Sequence, residues 1–303
     1  MAVQYEQSII KALAYFDIFN YPLTLDEIHH FLDQTGSRDD VLLTLQQLVD
    51  DNRVFRMGSF YSLQQDPSLR ARRTNGNHKA GKLLTTGYKV GGFLFRFPFV
   101  RGIGISGSLS KNFADQNTDI DFFIITRANR LWLARTLMHL FKKLTFITGH
   151  QHFYCMNYYI DEEALCIDEQ NIFTATELIT LKPVCGNGTM DRFYDQNNWA
   201  GSYFPNQPVS KESIVLARSG WVKRTVEWLL DNKAGNSLDN WLMRVTTRRW
   251  LKKEQLKKTN SHGIRMGLHT GKHFSKPNPE FFQRKVLDAL EKKLTNQPTA
   301  VNS

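Results

Sequence analysis

The sequence predicts an α+β protein. Three features predict it: three short amphipathic helices closed by a β-hairpin at the front, a strand–loop–strand–helix–strand succession after residue 100, and a lysine-rich helical stretch at the back. The 303 residues suffice for two or three domains, and a hydrophobic content of 41% supports packed cores. The expected divisions are 1–65 for the front domain, 66–98 for a helical connector, 99–208 for a mixed-sheet core with helices, and 209–303 for a basic helical region.

At the front, Ile9, Ile10, Leu13, Phe16 and Phe19 recur at helical spacing, and Asn20-Tyr21-Pro22 breaks the helix. Thr24-Leu25-Asp26-Glu27 is a capping box opening a second helix through Ile28, Phe31 and Leu32. Gly36 ends that helix. Ser37 caps a third, with Val41, Leu42, Leu45, Leu48 and Val49 on one face. Two β-rich segments, 53–57 and 60–63, are joined across Gly58-Ser59. Three helices and a hairpin in this order resemble a winged-helix domain, a fold that often reads DNA through its third helix. The exposed side expected here is Arg38, Asp39, Asp40, Thr44, Gln46, Gln47, Asp50 and Asp51. One arginine against four acids is a poor phosphate-binding face, which favours a packing or protein-contact role.

In the connector, Arg70, Arg72 and Arg73 precede a helical stretch punctuated by Gly76, Gly81, Gly87, Gly91 and Gly92. The core then reads as strands at 102–106, 122–126 and 151–160, helices at 130–146 and 171–182, and a Gly/Asn/Pro-rich loop to about 208. Further helices are expected at 211–231, 237–258 and 279–294, the last opened by Asn278 and Pro279.

The net charge of +10 is concentrated at the back: residues 209–303 hold 19 of the 39 Lys/Arg and 8 of the 29 Asp/Glu. Such a field suits polyanions, so nucleic-acid contact through this region is one expectation and a solvated helix surface the other. Cys155, Cys166 and Cys185 form no CxxC pair. No apolar segment reaches the roughly 20 residues of a membrane span. The expectation is a cytoplasmic protein without a membrane partner.

The chemistry concentrates in ISGSLSKNFADQNTDIDFFIIT, residues 105–126. Asp119 and Asp121 lie one residue apart at the mouth of an apolar strand, so they share a face. Two close carboxylates repel unless a cation lies between them, and hard oxygen ligands suit Mg²⁺ or Mn²⁺. Gly107-Ser108 ends the preceding strand; a glycine there lets a phosphate approach the backbone, and the serine hydroxyl can donate to it.

This layout resembles the nucleotidyltransferase superfamily with the DNA polymerase β-like fold. The pattern stands as Ser106, Gly107, Ser108, a ten-residue spacer, then Asp119-Ile120-Asp121-Phe122, and only the serine before the glycine departs from it. The resemblance covers 101–160. It implies transfer of a nucleoside monophosphate from an NTP to an acceptor (small molecule, RNA or protein), with release of pyrophosphate. It also implies that Gly107 and Ser108 hold the triphosphate, with Lys111 as an added contact, and that Asp119 and Asp121 are catalytic and bind Mg²⁺ or Mn²⁺. A third carboxylate belongs on the strand after the helix, and the best-matching position holds Asn157, a neutral and poor base. Asp161, on the same face by alternation, is the other candidate for that place, with Glu163 and Glu177 nearby. The alternative is a weak or inactive member of the fold, acting as a nucleotide- or nucleic-acid-binding regulator.

Overall fold

The computed structural model describes residues 2–145, 154–207, 220–257, 267–277 and 280–296. Within them lie eleven α-helices and a mixed six-stranded sheet, with a separate two-stranded hairpin at the front. Among the described residues no helix is long and apolar enough to cross a membrane.

The front unit comprises α1 (Ala2–Asp17), α2 (Leu25–His30), α3 (Arg38–Asp50), β1 (Phe55–Met57) and β2 (Phe60–Ser62). Its local signals act as written. Thr24 Oγ1 accepts from the Glu27 amide at 3.2 Å, and Glu27 Oε2 accepts from the Thr24 amide at 2.9 Å, closing the capping box. Ser37 Oγ accepts from the Asp40 amide at 3.1 Å. The hairpin pairs Met57 with Phe60 across a two-residue turn. The Asp17 carboxylate at the end of α1 accepts from Ser62 Oγ and the Leu63 amide, tying helix to hairpin. On α3 the acids are exposed as expected, but Thr44 is buried and Leu43 is 61% exposed. Thr44 lies between Val41, Leu45 and Leu48 on the helix, and its hydroxyl donates to the Asp40 carbonyl, so it needs no solvent.

The connector is one 27-residue helix, α4 (Ser68–Leu94), laid against the sheet. A Cβ at Gly91 would lie 2.8 Å from Val184 Cγ1, so only glycine permits this approach. Arg73 on α4 is 3% exposed, pairs with Glu27, and lies 3.8 Å over the Tyr21 ring.

The sheet contains β3 (Val100–Ser106), β4 (Ile120–Thr126), β5 (Tyr154–Asp161), β6 (Lys182–Cys185), β7 (Leu268–Thr270) and β8 (Phe274–Pro277), in the order β6-β3-β4-β5-β8-β7. Only β4 and β5 are parallel; the other neighbours are antiparallel. One face buries Ile103, Ile105, Phe122, Ile124 and Met156 against α4 and α6 (Leu131–Thr145), whose Trp132 and Met138 are fully buried. The other face buries Phe123, Ile125 and Ile160 against α7 (Ile172–Thr180) and α8 (Asn187–Gln196). Burial on both faces is what makes β4 a near-continuous apolar run.

Three elements differ from the sequence expectation. Residues 182–196 supply a strand and a helix where a loop was expected; β6 is an edge strand, where Pro183 is tolerated. The basic region is not purely helical, because β7 and β8 complete the sheet. Its helices are α9 (Trp221–Leu230), α10 (Lys233–Gln255) and α11 (Glu280–Thr295). The expected start of the first of them, near 211, and the opening by Asn278-Pro279 lie outside the described residues. Finally, α11 returns to the front unit, where Val286 and Leu290 join its core beside Ile9, Leu13 and Phe16.

Glu27 caps α2 and is the partner of the buried Arg73. Glu27→Ala is therefore expected to lower stability by about 3 kcal/mol in urea unfolding, chiefly from stranding a buried guanidinium. A loss under about 1 kcal/mol would mean that Arg73 is satisfied by its aromatic neighbours alone.

Candidate active site

The site forms where β3 and β4 are joined. Ser106, the last residue of β3, pairs with Asp121 of β4. The chain then turns through Gly107 at φ +69° into the short helix α5 (Gly107–Ser110). A Cβ on Gly107 would lie 2.8 Å from Asp121 Oδ2, so this turn faces the carboxylate directly and only glycine fits there. Ser106 Oγ donates to the Asp121 carbonyl at 3.3 Å, and Ser110 Oγ to the Gly107 carbonyl at 2.8 Å. Ser108 is exposed at the turn, while Leu109 is buried beneath it.

Lys111 is anchored. Its Nζ donates to Glu177 Oε1 at 2.7 Å and to the Gly107 carbonyl at 3.1 Å. It thus joins the turn to α7 instead of standing open as a ligand contact. The loop beyond it is held by the front unit: Tyr21 Oη donates to the Lys111 carbonyl, and Phe113 is buried in the front core with its ring edge-on to Tyr21.

The register of β5 relocates the expected third position. Asp121 pairs with Cys155, and Phe122 with Met156, but Phe123 pairs with Tyr158. Asn157 is the extra residue of a bulge, with no opposite number on β4. The residue beside the acids is Cys155, whose Sγ donates to Asp119 Oδ2 at 3.5 Å. Beyond the bulge the alternation reverses, which also removes Asp161 from the site. Asp161 pairs with Thr126, about 16 Å along the strand from Asp121. It is fully buried, accepts from the amides of Asn129 and Glu163, and pairs with His273 Nδ1 at 2.9 Å. Its carboxylate organises the loops at the opposite end of the sheet. Glu163 sits beside it, exposed. Of Asp161, Glu163 and Glu177, only Glu177 approaches the site, held by Lys111.

Burial pushes the Asp121 carboxyl up to about 7, helped by Asp119 and Glu177 and opposed by Lys111 and Lys142. Burial likewise raises the Cys155 thiol, to about 11, against the pull of Lys142 and with the two aspartates adding to the rise. At neutral pH it is therefore a protonated donor to Asp119, not a thiolate ligand. Lys142, on α6, donates to the Tyr154 carbonyl at 2.6 Å and so is stationed at the start of β5.

Three carboxylates against two lysines leave the site short of positive charge, which fits a hard divalent cation shared with a ligand's phosphates. It does not make an all-protein cage: among the described residues no group of three or more His, Cys, Asp or Glu is arranged to hold a metal ion. The structure brings the turn and both aspartates of the sequence pattern to one place. Beside them stand Cys155, brought there by a bulge that β5's own sequence does not announce, and Lys142, brought there by the packing of α6 on β5.

Comparison with protein-family models, with curated proteins and with solved structures finds no match.

The Asp121 shift has a direct consequence for stability. The folded state holds its proton more tightly than the unfolded chain, so Asp121 costs stability as pH rises from about 4 through about 7. Asp121→Asn should be more stable than the parent by roughly 4 kcal/mol at pH 8, with the difference vanishing as pH falls to about 4. Equal stability at pH 8 would show that the carboxylate is already neutralised.

Proposed function

We propose that this chain is a metal-dependent nucleotidyltransferase of the DNA polymerase β-like fold, moving an NMP group from an NTP to an acceptor with release of pyrophosphate. The observation that carries the reading is the facing of Gly107 and Asp121 across the β3–β4 pair. A phosphate-admitting turn and two same-face carboxylates are then parts of one site. The mixed sheet with helices on both faces is compatible with such a core, and the three helices and hairpin in front with a winged-helix-like unit.

In this reading the Gly107 turn admits the triphosphate and the Ser108 hydroxyl donates to it. Asp119 and Asp121 would hold Mg²⁺ or Mn²⁺, which when bound supplies charge neutralisation for the phosphates and the leaving pyrophosphate. The Lys111–Glu177 pair keeps the turn in place, and Tyr21 and Phe113 fix the loop behind it. A bond from the acceptor oxygen to the α-phosphorus forms as the α–β bridging bond breaks.

One observation favours a second reading, in which the chain binds nucleotide with little turnover. Cys155 stands opposite Asp121 as a neutral thiol, so the third acidic ligand is absent from the described strand position.

Incubation with each α-labelled NTP, Mg²⁺ or Mn²⁺, and a lysate of acceptors tests both. The transferase reading expects label transfer, lowered at least about hundredfold by Asp119→Ala or Asp121→Ala. The binding reading expects NTP binding without transfer, and transfer appearing in Cys155→Asp. Absence of both binding and transfer would overturn the assignment.

A further inference from the structure

The two helices after residue 220 carry exposed apolar and basic side chains, and α9 is anchored at the start of β3, the end away from Gly107. On α9 the ordinary arrangement of an amphipathic helix is inverted. Its inward line is Lys223, Val226, Glu227 and Leu230, and its outward line is Trp221, Val222, Thr225, Trp228 and Leu229. Trp221 and Trp228 are 73% and 78% exposed, and Val222 and Leu229 are exposed with them.

The inward polar contacts fix this orientation. Lys223 Nζ donates to the carbonyls of Phe95 and Val100 at 2.8 and 2.7 Å. Glu227 accepts from the Phe99 amide at 2.6 Å and pairs with Arg101 through both oxygens. Rolling α9 over to hide its indoles would break these contacts and strand a buried lysine. The tryptophans are outside because the helix is bolted by its charges.

On α10, Leu238 and Trp241 are also exposed, followed by exposed Arg244, Arg248, Arg249 and Lys252. The acids of the two helices do not offset these cations. Glu227 and Asp239 face inward, Asp231 pairs with Arg127 and Arg130, and Glu254 is the only other one.

We propose that the outer face of α9 with α10 docks on an anionic lipid surface. Indoles sit at the boundary between headgroups and acyl chains, aliphatic side chains bury just below it, and Arg/Lys meet the headgroup charge. The aliphatic share distinguishes this occupant from single-stranded nucleic acid, which would be gripped by stacking and cations and has no use for Val222, Leu229 and Leu238. This is attachment at a surface, without a span; it departs from the expectation of no membrane partner, which rested on the lack of a spanning segment, and it stands independently of the chemistry at Asp121.

The test is co-sedimentation of the full chain with vesicles of phosphatidylcholine alone or mixed with phosphatidylserine, with tryptophan fluorescence recorded in parallel. Binding to the mixed vesicles with a blue shift is expected, weak on phosphatidylcholine alone. Trp228→Ser and Trp221→Ser should each weaken it by about tenfold, without change in circular dichroism, since both side chains are already in solvent. Arg244→Glu with Arg248→Glu should weaken it too, and added salt likewise. Three outcomes overturn the proposal: no binding to mixed vesicles; self-association that Trp228→Ser abolishes; or preferential binding of single-stranded RNA lost in the same variants.

Discussion

The pairing of Ser106 with Asp121 is the constraint on which the rest of the molecule depends. It is held by apolar side chains that carry no chemistry themselves. Ile103, Ile105, Phe122 and Ile124 are buried on one face of the two strands, and Phe123 and Ile125 on the other. A slip of one residue would exchange the faces of every one of them, so apolar packing fixes the register far more firmly than the carboxylates could. The repulsion between Asp119 and Asp121 is tolerated because the strand that carries Asp121, and that Asp119 leads into, has nowhere else to go. Local charge stress is maintained by apolar burial of the supporting strands, as rigid elements hold functional groups in place.

The same trade appears with opposite sign at the other end of the sheet. At Asp121, apolar burial compels polar groups to stay close. At α9, polar bonding compels apolar groups to stay exposed. In both places the side chains on show are not the ones that decide where the backbone lies.

Much of the fold was legible because its signals are local. The capping box at Thr24, the Ser37 cap and the two-residue hairpin each need only a few adjacent residues to state their geometry. The Gly107-Ser108 turn and the Asp119–Asp121 spacing were legible for the same reason. What escaped was non-local. The bulge at Asn157 exists only relative to β4, so counting by twos along β5 pointed to Asn157 and Asp161 when the neighbour of Asp121 is Cys155. Strands β7 and β8 hold three and four residues, too few to show a period; β8 is a strand because β5 offers it an edge, and β7 because β8 does. Lys223 and Glu227 sit inward on α9 because the ends of α4 and β3 present carbonyls and an amide there, which no helical wheel records.

The return of α11 to the front unit bears on the order in which the chain can mature. The core around Ile9, Leu13 and Phe16 is not closed by its own helices alone; Val286 and Leu290 cover part of it. During synthesis the first hundred residues emerge long before these two, so the front unit must wait, with an apolar surface uncovered, until residues 286–290 have left the ribosome. A contact spanning almost the full sequence is also the slowest kind to form. Nascent chains halted before residue 280 would thus be the species most dependent on chaperones.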